Sequence, residues 1–232
     1  MKFIRFPLIA MGMVALLAAM WAGLVRLGWG WPPLQPTLPL AHGPLMISGF
    51  LGTIIGVERA VALSTLSPGR LWTYSAPLLA GLGGLSLIVG LPQSVGMLLI
   101  SLASLGLVII FGLILRMQPT RFTLTMAIGT LLWLIGNSLW GLGWPIYQVV
   151  YWWLGFLLLT IAGERLELNR VLQLSRSAHA IFLASLGLFL AGLAMSLFAL
   201  DLGVRLVGAG MLTLAGWLLR YDIAATPCEK TG

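Results

Sequence analysis

Side chains able to do acid–base, nucleophilic or metal chemistry are scarce in this chain: two histidines, one cysteine and six carboxylates among 232 residues. His42 opens the segment His42-Gly43-Pro44-Leu45-Met46-Ile47-Ser48-Gly49-Phe50. Pro44 is tolerated there if it falls in the first turn of a helix. On an α-helix His42 and Met46 share a face about 6 Å apart along the axis, near enough to line one pocket. Stacked along one side, they cannot be the two axial ligands of one haem. An imidazole at such a site is a candidate ligand for haem or a metal ion; its alternative role is a helix-start residue bonded to loop carbonyls. Glu58 falls roughly 24 Å farther along the helix and about 160° around it, in a different site. The lone Cys228 rules out an intrachain disulfide and a cysteine-based metal cage. Phosphate loops, nucleophile elbows, paired carboxylates and zinc spacings are missing, so an autonomous hydrolase or kinase is not expected. The Asp-rich motifs of membrane prenyl transferases are absent as well.

The elements that position these residues follow from composition. The chain is 59% hydrophobic and 8% charged, with mean hydropathy +1.03, far from a soluble globular protein. Eight apolar runs have the length needed to cross a bilayer: Pro7 to Leu27, Leu40 to Leu63, Trp72 to Leu91, Val95 to Leu115, Phe122 to Leu142, Ile146 to Ala162, Ala180 to Leu200 and Val204 to Leu219. The fold class is therefore an all-α integral membrane protein, and the first run reads as a retained helix rather than a cleaved leader. With the amino terminus in the cytoplasm, the inner segments hold Lys2, Arg5, Arg59, Arg70, Arg116, Arg121, Arg165, Arg170, Arg176, Arg220 and Lys230. Only Arg26 and Arg205 fall outside. This asymmetry obeys the positive-inside rule and places both termini in the cytoplasm of a bacterial inner membrane. The net charge of +7 then faces lipid headgroups, and its scattered bases do not form a nucleic-acid patch. His42 falls at an outer helix end and His179 at an inner one, so across about 30 Å of hydrocarbon they cannot share a metal within one chain.

An internal repeat organises the runs. Gly49-Phe50 with Glu58-Arg59 recurs as Gly155-Phe156 with Glu164-Arg165, and the same offset carries the third run onto the seventh and the fourth onto the eighth. Gly30-Trp31-Pro32 and Gly143-Trp144-Pro145 read as equivalent outer corners. Two like-oriented four-helix repeats, 1–118 and 119–232, are expected within a single membrane domain. Charges buried near the inner face need partners. Adjacent helical residues diverge by about 100°, so a crossed double pair is expected, Glu58 with Arg165 and Glu164 with Arg59, either as a structural clamp between halves or as a relay. Small-residue ridges at Gly52, Gly56 and Ala60, and at Ala76, Ala80 and Gly84, predict close helix packing. Asn137 is expected to bond a neighbouring helix, Asp201 and Arg205 to form a structural i, i+4 pair, and His179 to be an interfacial residue.

The spacing of His42, Met46, Gly49 and Phe50 resembles one helix of the NnrS-type membrane proteins, haem- and copper-containing proteins linked to nitric oxide and denitrification. That family's pattern runs His-x-His-Glu-Met-x-x-Gly-Phe, and this chain departs from it at Pro44 and Leu45. The resemblance implies a related scaffold and a haem or copper site through His42, with Met46 beside it, in nitric oxide or respiratory metabolism. The alternatives are a small-molecule or ion transporter with the Glu-Arg pairs as its gate, and a structural subunit of a larger membrane complex. Beyond lipids, the partners open to it are a second copy of itself and other membrane subunits.

Overall fold

The computed structural model describes residues 2–66, 71–168 and 175–221. Among them it is helical throughout, with no strand and with eight helices long and apolar enough to cross a membrane. The predicted Arg70, Arg170, Cys228 and Lys230 lie outside the described residues. We number the helices α1 (Lys2–Arg26), α2 (four segments spanning 38–66), α3 (Leu71–Ile88), α4 (Gln93–Met117), α5 (Arg121–Gly141), α6 (Ile146–Leu168), α7 (Arg176–Ser196) and α8 (Leu200–Tyr221). The eight predicted runs match one helix each. The main difference in extent is α6, which continues past Ala162 and so carries Glu164, Arg165 and Glu167 on helix.

α2 is irregular. A 3₁₀ turn (Leu38–Ala41) leads into one α-turn (His42–Pro44), then a π-helical stretch (Leu45–Gly52), and only then a regular α-helix (Thr53–Leu66). π-turns are rare, and they concentrate at functional sites. Glycine makes this one packable. A Cβ on Gly49 would stand 3.3 Å from the Cα of Gly84 and 3.0 Å from the Cβ of Ala15, so α2, α3 and α1 meet nearly backbone to backbone. A Cβ on Gly52 would strike the Trp133 ring at 2.7 Å. Gly56 abuts Pro77, and Ala76 of the second predicted ridge meets Gly106 of α4. In an apolar solvent this contact, with interhelical hydrogen bonds, is what holds helices together.

The core gathers around α2. Trp133 of α5 donates its indole N–H to Ser48 Oγ at 3.0 Å and stacks on Phe156 of α6, centroids 4.9 Å apart. Trp153 of α6 donates to Asn137 Oδ1 at 2.9 Å and meets Trp140 edge-on. Asn137 thus bonds a neighbouring helix, but its Nδ2 is buried without a partner. α7 and α8 form a hairpin against α6, joined where Gly192, Gly203 and Gly210 let backbones touch. The hairpin is peripheral: 28% of the apolar window of α8 is buried, against 56% for α2. α1 packs on both α2 and α3, whereas α5 makes no comparable contact with α7.

Candidate functional site

Three connections at the His42 end of the bundle are closed by the same device. α1, α3 and α5 each terminate on a glycine with positive φ: Gly28 (89°), Gly90 (79°) and Gly143 (88°). The next residue's N–H returns to the helix as Trp29 to Leu24, Leu91 to Ser86 and Trp144 to Leu139, the bond that defines a Schellman cap. Gly28-Trp29, two residues before the expected Gly30-Trp31, thus carries the same cap as Gly143-Trp144. Trp31 packs between Trp21 and Trp29, at 4.6 and 5.2 Å.

Between these capped ends lies a cavity of about 1210 Å³, walled by the ends of α1 through α6. Apolar side chains such as Leu87, Met97, Trp140 and Ile146 form most of it, and His42 is its imidazole. His42 is half-buried, with Nδ1 2.8 Å from the carbonyl oxygen of Ala19 on α1. A carbonyl only accepts, so Nδ1 carries the proton, and in the neutral ring Nε2 keeps its lone pair. No hydrogen bond reaches Nε2 among the described residues. The ring fits because α1 has no side chain at Gly23: a Cβ there would lie 2.9 Å from Cε1 and 3.0 Å from Nδ1. An imidazole oriented through Nδ1 by a backbone carbonyl, with Nε2 free, is prepared as a ligand.

Met46 does not line the cavity; its place as the thioether is taken by Met97 of α4. The expectation that His42 and Met46 share a pocket assumed α-helical rotation. Met46 sits at the start of the π-stretch and packs against the apolar core instead. Gln148, which the expected repeat pairs with His42, does not line the cavity and donates to its neighbour Tyr147 at 3.3 Å.

At the opposite end, Arg59 Nη2 donates to Glu164 Oε1 at 2.9 Å and to Glu58 Oε1 at 2.8 Å. The α2-to-α6 limb of the expected cross is thus formed. The other limb differs: Glu58 turns to its own neighbour, because two long flexible side chains can bend toward each other despite diverging Cβ directions. Arg165 also takes part in an interaction. The Arg59 guanidinium also lies over Phe111 of α4, 5.7 Å from the ring centre, so it ties three helices. Asp201 and Arg205 share α8 but form no ion pair among the described residues. His179 is partly exposed and bonds the Ser175 carbonyl oxygen at 3.1 Å in the first turn of α7.

Sequence reasoning missed Gly23, Ala19, Met97 and Gln35. Gly23 closes a small-residue stripe with Ala15, Ala19 and Ala22, all buried, and that stripe was the available signal. Gln35 left none: its amide donates to the Leu87 carbonyl oxygen at 3.0 Å while its oxygen accepts from Thr37, fastening the α1–α2 loop to α3.

Among the described residues, fold and site together define an apolar eight-helix bundle with a histidine-bearing cavity at one end. Within that class the chain belongs to the family described as Domain of unknown function (DUF8744), whose model matches residues 5–232. No curated protein and no solved structure matches it.

Proposed function

We propose that this is a multi-pass protein of a bacterial inner membrane, built of two parallel four-helix repeats, which binds haem through His42 at its outer face. The observation that carries the reading is the orientation of His42, with Nδ1 committed to Ala19 and Nε2 open, in the wall of a large apolar cavity. The volume of about 1210 Å³ is ample beside the roughly 300–1,000 Å³ of ordinary ligand pockets. The donor set fits haem better than copper. Among the described residues no three His, Cys, Asp or Glu side chains cluster as a protein-built cage requires, whereas a porphyrin supplies the equatorial donors itself and asks for an axial side chain. Bound there, haem would supply a redox-active iron, and the resemblance to NnrS-type proteins points to nitric oxide or respiratory chemistry. His42 would hold the group, with Met97 and Trp140 as cavity wall.

The test is the optical spectrum of protein purified in detergent from haem-replete cells. A Soret band lost or shifted in His42→Ala, and unchanged in Met46→Ala, is expected. A colourless preparation with no iron by elemental analysis rejects the reading. The same cavity also suits a small-molecule transporter, and thermal stabilisation by a ligand in colourless protein would favour that alternative.

A further inference from the structure

The cavity has a wall of one charge sign. Among the described residues its charged, amide, hydroxyl and imidazole side chains are Arg26, Gln35, Thr37, His42, Gln93 and Tyr147, with no carboxylate. Gln35 and Thr37 satisfy each other and α3, Tyr147 accepts from Gln148, and His42 is held by Ala19. Arg26 takes part in no ion pair among the described residues. It stands in the last turn of α1, three residues beyond Gly23, and residues three apart share a helix face. The guanidinium is therefore one turn outward from the seat of the imidazole, toward the rim.

An arginine at a helix C-terminus ordinarily serves the helix's own carbonyls. Here those carbonyls have partners: Leu27 donates to Gly23, Gly28 to Val25 and Trp29 to Leu24. Arg26 is also one of the two cations on the face that the positive-inside rule leaves poor in them. Its position at the mouth of an apolar cavity without acids gives it a different role.

We propose that the cavity takes a molecule with an apolar body and a carboxylate, the body inside beside His42 and the carboxylate on Arg26. On the haem reading, on which this source of the carboxylate rests, it is a propionate. A free long-chain carboxylate offers the same chemistry.

Two probe pairs separate the sources. Purified protein is titrated with haem and with haem dimethyl ester, which differ only in their carboxylates, and separately with oleate and methyl oleate while the melting temperature is recorded. Wild type is expected to bind haem about tenfold more tightly than its ester, the size of one charge-assisted hydrogen bond at an exposed rim. Arg26→Gln should bind both equally, and Arg26→Lys should keep most of the preference. Arg26 is exposed, so an unchanged melting temperature without ligand verifies that the variants fold. If neither porphyrin binds but oleate stabilises wild type and not Arg26→Gln, the carboxylate site stands and the haem reading fails. If no probe distinguishes acid from ester, or Arg26→Gln keeps the distinction, the proposal is overturned.

Discussion

Arg59 holds two carboxylates with one nitrogen, and this makes a sign-reversing test. Nη2 has two hydrogens, one directed to Glu58 and one to Glu164, so the two acceptor oxygens, each within 2.9 Å of it, are close neighbours. A charge-assisted bond is worth about 1.5–3 kcal/mol when shielded. Glu58 and Glu164 are 56% and 41% exposed, which reduces each bond to about 1 kcal/mol. Replacing Arg59 with Gln removes both bonds and leaves two anions that, at about 6 Å, repel by roughly 3 kcal/mol at an effective dielectric near 20 and by less at this exposure. Arg59→Gln should therefore destabilise the protein by about 3 kcal/mol, and Glu164→Gln by about 1 kcal/mol in the wild-type background. In the Arg59→Gln background the same Glu164→Gln change should instead restore about 1 kcal/mol, because it removes an uncompensated anion. Reversible unfolding in mixed detergent, followed by far-ultraviolet circular dichroism, measures the cycle. Equal costs for Glu164→Gln in both backgrounds would refute the shared-arginine account.

Three further outcomes follow from packing. Gly23→Val drives a side chain into the imidazole, so His42 should leave Ala19 and any His42-dependent Soret band should be lost as in His42→Ala, with Gly23→Ala affecting it less. Ser48→Ala strands the buried Trp133 N–H and should cost about 1–3 kcal/mol, whereas Trp133→Phe should cost less at that bond because the Ser48 hydroxyl can turn elsewhere; detergent unfolding of both variants and their double mutant reads the difference. Gly210→Ala places a Cβ 2.7 Å from the Phe189 backbone and should separate α7 from α8 at a cost of about 1–3 kcal/mol or more. Gly208→Ala on the same helix meets open space and should be neutral or slightly stabilising in the same melt.

How much was legible depended on the kind of force involved. Hydrophobic length is a one-dimensional property, so eight spans could be read directly from runs of apolar residues. Gly52, Gly56 and Ala76 could be placed at close helix approaches because a small or missing side chain has one main use in an apolar bundle. Met46 lies outside the cavity because a shared helix face does not settle which neighbour packs on each of its residues, and nothing local to 45–52 announces the π-turn. Gly23 and Gln35 were missed for another reason. Their roles depend on partners at Ala19, His42 and Leu87 that only tertiary structure brings within reach, and no periodicity marks such partners. The Glu58–Arg59 bond shows a third limit: backbone geometry constrains where Cβ atoms point, while long charged side chains retain enough freedom to meet.

The two candidate halves differ most where the site is. At the repeat offset, His42, Gly43, Pro44 and Ser48 correspond to Gln148, Val149, Val150 and Leu154, while Gly49-Phe50 is matched by Gly155-Phe156. The shared pair performs packing: Gly49 approaches α1 and α3, and Gly155 admits Leu132 and Phe189. The differing residues instead build the irregular start of α2, and α6 runs as an unbroken α-helix from Ile146. A duplicated scaffold needs only the first set. Gly43 lets Trp153 of α6 come within 3.6 Å of where its Cβ would stand, and Ser48 takes the Trp133 indole N–H, so α2 is braced against α5 and α6 on both sides of Met46. α5 and α6 thus brace the irregular segment next to His42, and the histidine and the wide turn occur together in one candidate half, at a cavity that both halves wall.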